Sequence, residues 1–245
     1  MNRSNLIIVP VGCPVDKFIR LHGLHFDLSK HWRNTKNDRN YDIIAVKYSE
    51  FIPEEGTYDQ LFEISGMKWQ IVLKLIQFID LSKYTYIGIY DDDVVTDFLS
   101  INHSFQKALN ECIPAFQISL NSLSESAYIC TRQVDGWYSA KTNFIEIMCP
   151  CFRYDMFVKI IKLISSYQIK HAWGIDLVFS DYLKTPLTVY HFCSIFHPSR
   201  PGEGSTYNKK EALIEMNYFI DQIYIEINPL WKRSNEITYS YILNN

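Results

Sequence analysis

The stretch Tyr86-Ile87-Gly88-Ile89-Tyr90-Asp91-Asp92-Asp93 decides how this chain is read, because a short apolar run passes directly into three consecutive carboxylates. Such a run, ended by polar residues, is the pattern of a parallel strand covered on both faces. Open α/β sheets bind their ligands at the carboxyl ends of such strands. Three adjacent carboxylates repel one another and raise each other's pKa unless a cation or hydrogen-bond donors compensate them. The arrangement therefore asks for a divalent ion.

Towards the N-terminus, residues 6–12 (LIIVPVG) repeat the pattern and predict the first strand. A second is predicted at 41–48, after a polar connection at 31–40. Between 67 and 80, Trp69, Val72, Leu73, Leu75, Ile76 and Ile79 recur at helical spacing opposite Gln70, Lys74 and Gln77, so a helix feeds the acidic strand. Towards the C-terminus, Asp97 is placed to cap a helix reaching about Asn110, Pro114 breaks it, and 115–120 predicts a strand. Residues 121–141 are Ser-rich and without periodicity, and are expected as loop and short helix over the site. Residues 143–148 predict a strand whose one charge is Glu146, and a lone charge among apolar residues needs a reason.

An amphipathic helix follows at about 154–167. A sharp turn at Gly174 opens another through about Leu183, with Asp176 in its first turn. A last strand at 187–196 ends on His197-Pro198. The segment 199–205 is the most flexible by composition, and 209–220 predicts a late helix. Alternating strands and helices define the expected fold class as α/β, with a mostly parallel central sheet flanked by helices. One domain over residues 1–245 is expected, with 199–245 as a C-terminal loop and helical extension.

The 245 residues are 47% apolar, ample for a sizeable core. Lys and Arg total 24 against 27 Asp and Glu, a net charge of -3, which disfavours nucleic-acid binding. Aromatics at 15% suit flat amphipathic ligands such as sugars and nucleobases and equally suit a large core. The six cysteines are scattered, and no basic opening with a long apolar run precedes them, so a reducing cytoplasm is the expected compartment. Cys149-Pro150-Cys151 has no second pair at zinc spacing and reads as buried thiols. No apolar stretch approaches the ~20 residues of a spanning helix.

The strand-plus-acid run resembles the Asp-x-Asp motif of GT-A glycosyltransferases, which use nucleotide-sugar donors. More narrowly, the order of motifs resembles the DUF707 family. The matching pieces are Ile8-Val9-Pro10-Val11-Gly12, Lys68-Trp69, Tyr90-Asp91-Asp92-Asp93, the run from Phe144 to Phe152, Trp173-Gly174-Ile175-Asp176 and His197. The acidic run sits in Tyr-Asp-Asp-Asp, a departure from the pattern, and nothing after Pro198 matches, which leaves the acceptor open.

The resemblance implies that Asp93, with Asp91 and His197, holds Mn²⁺ or Mg²⁺ bridging the donor diphosphate. Such a cation neutralises the charge that builds as the nucleoside diphosphate leaves. It further implies that Val11, Gly12, Lys68, Asp91, Asp92 and Trp173 lie along the donor, and that Asp176 is general base on the acceptor hydroxyl, with Glu146 second in claim. A poor hydroxyl nucleophile needs such a base. Bland readings stand beside these: His197-Pro198 as an ordinary turn, Asp176 as a helix cap, Glu146 as a paired structural carboxylate, Lys68 as a solvated lysine, Trp69 as core.

The expected activity is transfer of a sugar from a nucleotide-sugar donor to a hydroxyl of a surface glycan or lipid-linked glycan, with inversion. Phosphate-rich or lipid-linked acceptors would place the protein peripherally at the inner membrane face. The competing readings are a catalytically silent GT-A-like domain that binds a glycan or a partner enzyme, and a metal-dependent phosphohydrolase or nucleotidyltransferase. No Walker-type loop supports the nucleoside-triphosphatase version of the last.

Overall fold

The computed structural model describes residues 3–124, 128–198, 208–227 and 239–243. Its strands are β1 (Asn5–Val11), β2 (Tyr41–Lys47), β3 (Gln60–Glu63), β4 (Tyr86–Ile89), β5 (Ala115–Leu120), β6 (Trp137–Thr142), β7 (Cys151–Arg153), β8 (Leu187–Ile195) and β9 (Tyr239–Leu243). Its helices are α1 (Lys17–Leu21), α2 (Lys68–Leu75), α3 (Phe98–Asn110), α4 (Tyr154–Ser166), α5 (Phe179–Leu183), α6 (Lys209–Tyr218) and α7 (Tyr224–Ile227).

The strands form one sheet in the order β3-β2-β1-β4-β7-β5-β8-β6-β9. The pairs β1/β2, β2/β3, β1/β4 and β5/β8 are parallel, and β4/β7, β5/β7, β6/β8 and β6/β9 are antiparallel. Only β6 and β7 therefore run against the other strands, and the sheet is mostly parallel as its sequence predicts. The registers place Val11 beside Lys47 and Ile8 beside Ile89, so β1, β2 and β4 all deliver their following residues to one sheet edge.

β1 shows why an uninterrupted apolar run makes a central strand. Leu6 and Ile8 pack into one core with Trp69, Val72, Ile160 and Phe179, beneath α2, α4 and α5. Ile7, Val9 and Val11 pack into the other with Trp32, Tyr41 and Phe105, beneath α3. Burial on both faces removes the polar alternation a solvated sheet would show. In α3, the Asp97 carboxylate accepts from Ser100 N at 2.9 Å, the cap its sequence predicts.

Several expectations need correction. The helix predicted over 67–80 is α2, ending at Leu75. The aperiodic segment 121–141 contains, besides a 3₁₀ turn at Ile129–Thr131, most of β6. Residues 143–148 are not a strand but a buried crossing between β6 and β7. The reason lies in its backbone partners: Glu146 N donates to the Gln117 side-chain oxygen and Phe144 N to the Thr142 hydroxyl, so side chains take the place of a neighbouring strand. The segment predicted as flexible, 199–205, lies outside the described residues. Among the described residues no helix is long and apolar enough to cross a membrane.

Candidate active site

The acidic triplet emerges from β4 at the carboxyl edge of the sheet, and its members face different neighbours. Asp92 accepts from Gly12 N at 2.7 Å and from the Cys13 thiol at 3.3 Å, which ties the end of β1 to the triplet. Gly12 is closely covered there: a Cβ on it would lie 2.3 Å from the Tyr48 hydroxyl oxygen. Val11 is wholly buried, its side chain in the core with Ile7 and Val9. Burial raises the Asp92 carboxyl, against the pull of the Gly12 amide.

Asp91 and Asp93 converge with His197. One ligand atom from each of the three lies within 4.8 Å of the others. His197 follows β8, and the antiparallel bridge of Phe196 with Val95 carries it back over the triplet. Its Nε2 is 3.3 Å from Asp93 Oδ1, and its backbone N–H donates to the Ser124 hydroxyl at 3.0 Å. Burial works against a charge on this imidazole, but Asp93 and then Asp91 outweigh it and raise its pKa. Burial likewise raises Asp91, with Lys68 opposing and Asp93 adding to the rise. Two carboxylates and an imidazole make a donor set that fits a divalent cation.

Lys68, at the first turn of α2, is not a solvated lysine. Its ammonium lies 2.8 Å from Asp91 Oδ1 and donates to the carbonyls of Ile147 at 2.5 Å and Met148 at 3.2 Å. Asp91 N in turn donates to Met148 O at 2.8 Å. The crossing segment 144–148 is thereby stitched to the triplet through main-chain oxygens.

The same segment carries the second pair of acids. Glu146 is buried, its carboxylate accepting from the Thr131 hydroxyl and its backbone N–H donating to the Gln117 side-chain oxygen. Asp176, opening a 3₁₀ turn (Asp176–Val178) that leads into α5, accepts from Leu177 N at 3.1 Å and from the Ile147 amide. Burial pushes the Asp176 carboxyl up to about 7, with the charge of Glu146 adding to the rise. Burial also pushes Glu146 up to about 7, although Thr131, His197 and Arg132 pull it down. Trp173 stands three residues before Asp176, partly exposed, and Trp69 is core as expected.

The site thus gathers Asp91, Asp93, His197, Lys68, Glu146 and Asp176 around one buried crossing. Sequence reasoning missed Thr131, Gln117 and Tyr48. Gln117 carried a signal, since an amide inside the apolar run 115–120 must find a buried partner. Thr131 and Tyr48 carried none.

The architecture is that of a single-domain, GT-A-like α/β fold. S. aureus TarS residues 1–349, in complex with UDP-GlcNAc, matches 92% of this chain and 67% of that chain with a TM-score of 0.54 at 10% identity. A second structure of TarS 1–349 matches 94% and 76% with a TM-score of 0.48 at 9% identity. At 10% identity the likeness to the UDP-GlcNAc complex is one of fold. No family model and no curated protein matches the chain, and nothing therefore shows membership of the DUF707 family.

Proposed function

We propose that this chain is a metal-dependent glycosyltransferase that moves a sugar from a nucleotide-sugar donor to a hydroxyl of a surface glycan, with inversion. The observation that carries the reading is that one crossing segment joins two groups of acids: Met148 accepts from the amide of Asp91, which clusters with Asp93 and His197, and the neighbouring Ile147 amide donates to Asp176, near Glu146. Asp91, Asp93 and His197 would hold Mn²⁺ or Mg²⁺. Bound there, the cation supplies Lewis-acid neutralisation of the departing diphosphate.

The chain's own groups do the rest. Lys68 sets a positive charge beside Asp91, and in this reading the donor's nucleoside lies at the end of β1 beside Val11 and Gly12, where the space a Gly12 side chain would take is filled by Tyr48. Asp92 fixes that end through the Gly12 amide. Asp176 takes the proton of the acceptor hydroxyl, and a pKa of about 7 makes its carboxylate a base matched to neutral pH. Glu146 raises that pKa by its charge, and Trp173 offers a sugar a stacking face. A lipid-linked acceptor would bring the protein to the inner face of the membrane as a peripheral protein.

Thermal-shift measurements with UDP, GDP, CMP and dTDP, each with and without Mn²⁺, test this. UDP comes first, since the TarS structure holds UDP-GlcNAc. A nucleoside diphosphate that stabilises the protein only with Mn²⁺ is the expected result. No shift with any of them returns the chain to a silent binding domain, whereas metal-dependent phosphate release without sugar transfer marks a phosphohydrolase.

A further inference from the structure

The turn that presents Trp173 and Asp176 is held from outside the sheet. Gln168 and Ala172 have φ of 50° and 63°, and Gly174 has 82°, so three left-handed residues fall within seven positions. Non-glycine residues adopt this region at a cost, and only when their surroundings impose it. Gln168 follows the end of α4, where a left-handed residue is a usual stop, and the part of the turn beyond it meets one carboxylate. Glu215, on α6, accepts from Lys170 N at 2.9 Å through Oε2, and from His171 N at 2.7 Å and Ala172 N at 2.8 Å through Oε1.

Three successive amides pointing at one anion form a backbone nest, a concavity with a fixed positive potential. Flanking contacts add to it. Lys170 Nζ lies 3.2 Å from Glu211, and a Cβ on Gly174 would meet Met216 at 2.9 Å, so α6 packs directly on the turn.

We propose that Glu215 is a positioning residue: its carboxylate fills the nest of Lys170, His171 and Ala172 and sets the turn that brings Trp173 and Asp176 to the acceptor side of the site. The catalytic part of this rests on Asp176 being the base, and the holding of the turn does not. Helix α6 then belongs to the catalytic unit although it lies beyond the last residue of the family-like pattern.

The test uses the full chain with Glu215→Ala and Glu215→Gln, alongside Asp176→Asn. Amide hydrogen exchange is followed at 168–177 and at β4, and kcat and KM are measured with the donor that the nucleotide screen identifies. Glu215→Ala should speed exchange at 170–172 at least about tenfold with β4 unchanged, and lower kcat about 100-fold, as a misplacement of ~1 Å does, with donor KM retained. Glu215→Gln keeps an oxygen for part of the nest and should fall between; it decides the matter if Glu215→Ala does not fold. Unchanged exchange at 170–172, or unchanged kcat, overturns the proposal. Full turnover by Asp176→Asn with the exchange effect intact removes the base assignment and leaves the nest standing.

Discussion

Asp91 and Asp93 share a cluster with His197 while Asp92, between them, bonds to Gly12, and this division fixes what single substitutions should do. Asp93→Ala should abolish the Mn²⁺-dependent thermal shift by a nucleoside diphosphate. Asp176→Asn should leave that shift in place and lower transfer by about 10²–10⁴-fold, the range for losing a general base. Normal turnover in Asp176→Asn would end the base assignment. The acids also set a pH dependence. Burial pushes the Asp176 and Glu146 carboxyls up to about 7 from ordinary values of 3.8 and 4.5. Between those limits the native state holds protons that the unfolded chain has lost, so their contribution to stability falls as pH rises from about 4 to about 7. Asp176→Asn should therefore gain thermal midpoint relative to the parent at about pH 8 and show little difference near pH 4, read by calorimetry. The rate of transfer should rise with pH through about 7. Glu146→Gln, by removing a neighbouring charge, should move that rise to lower pH.

At the scale of elements, helix α3 offers a clean measure of local coding. Asp97→Ala removes its cap and should cost about 1 kcal/mol, a fall of roughly 2–4 °C in melting temperature for a chain of this size. That cap was legible because it needs only one residue type in front of a periodic run, and β1, β2, β4, β5 and β8 were legible because continuous apolar runs have few other uses. The edge strand β3, with Gln60, Leu61 and Glu63 exposed, was not, since an exposed edge has no pattern to keep. β7 is three residues long, too short for a period. The crossing at 144–148 misled for a physical reason: an apolar run reports burial, and burial alone does not distinguish a strand from a loop whose amides are satisfied by Gln117 and Thr142. Of the candidate site, the acidic triplet, Asp176 and His197 were legible as residue types at element ends, and Glu146 as a lone charge in an apolar run. The link of Lys68 to Asp91 and to the crossing was not, because it joins residues far apart in sequence.

Over the whole molecule, the two cores lie on opposite faces of the sheet and the candidate site lies at its carboxyl edge, as expected for an α/β fold. The cysteines report on that packing. All six are free; Cys112 is exposed, Cys193 is partly covered, and Cys13, Cys130, Cys149 and Cys151 are buried. Burial also raises the thiols of Cys13, Cys130, Cys149, Cys151 and Cys193, which starves them of thiolate. A disulfide-exchange reagent near pH 8 should label Cys112 fast and the others only on unfolding, as peptide mass spectrometry would show. Rapid labelling of Cys149 or Cys151 would contradict the described packing.

The grip of Lys68 on the oxygens of Ile147 and Met148 has a bearing on how such a molecule diverges. Every amino acid offers a carbonyl, so the seam between the acidic triplet and the segment leading towards Asp176 is written in backbone and tolerates drift in the side chains across it. Replacing the side chains of Ile147 and Met148 while leaving Lys68 in place should therefore keep that seam closed.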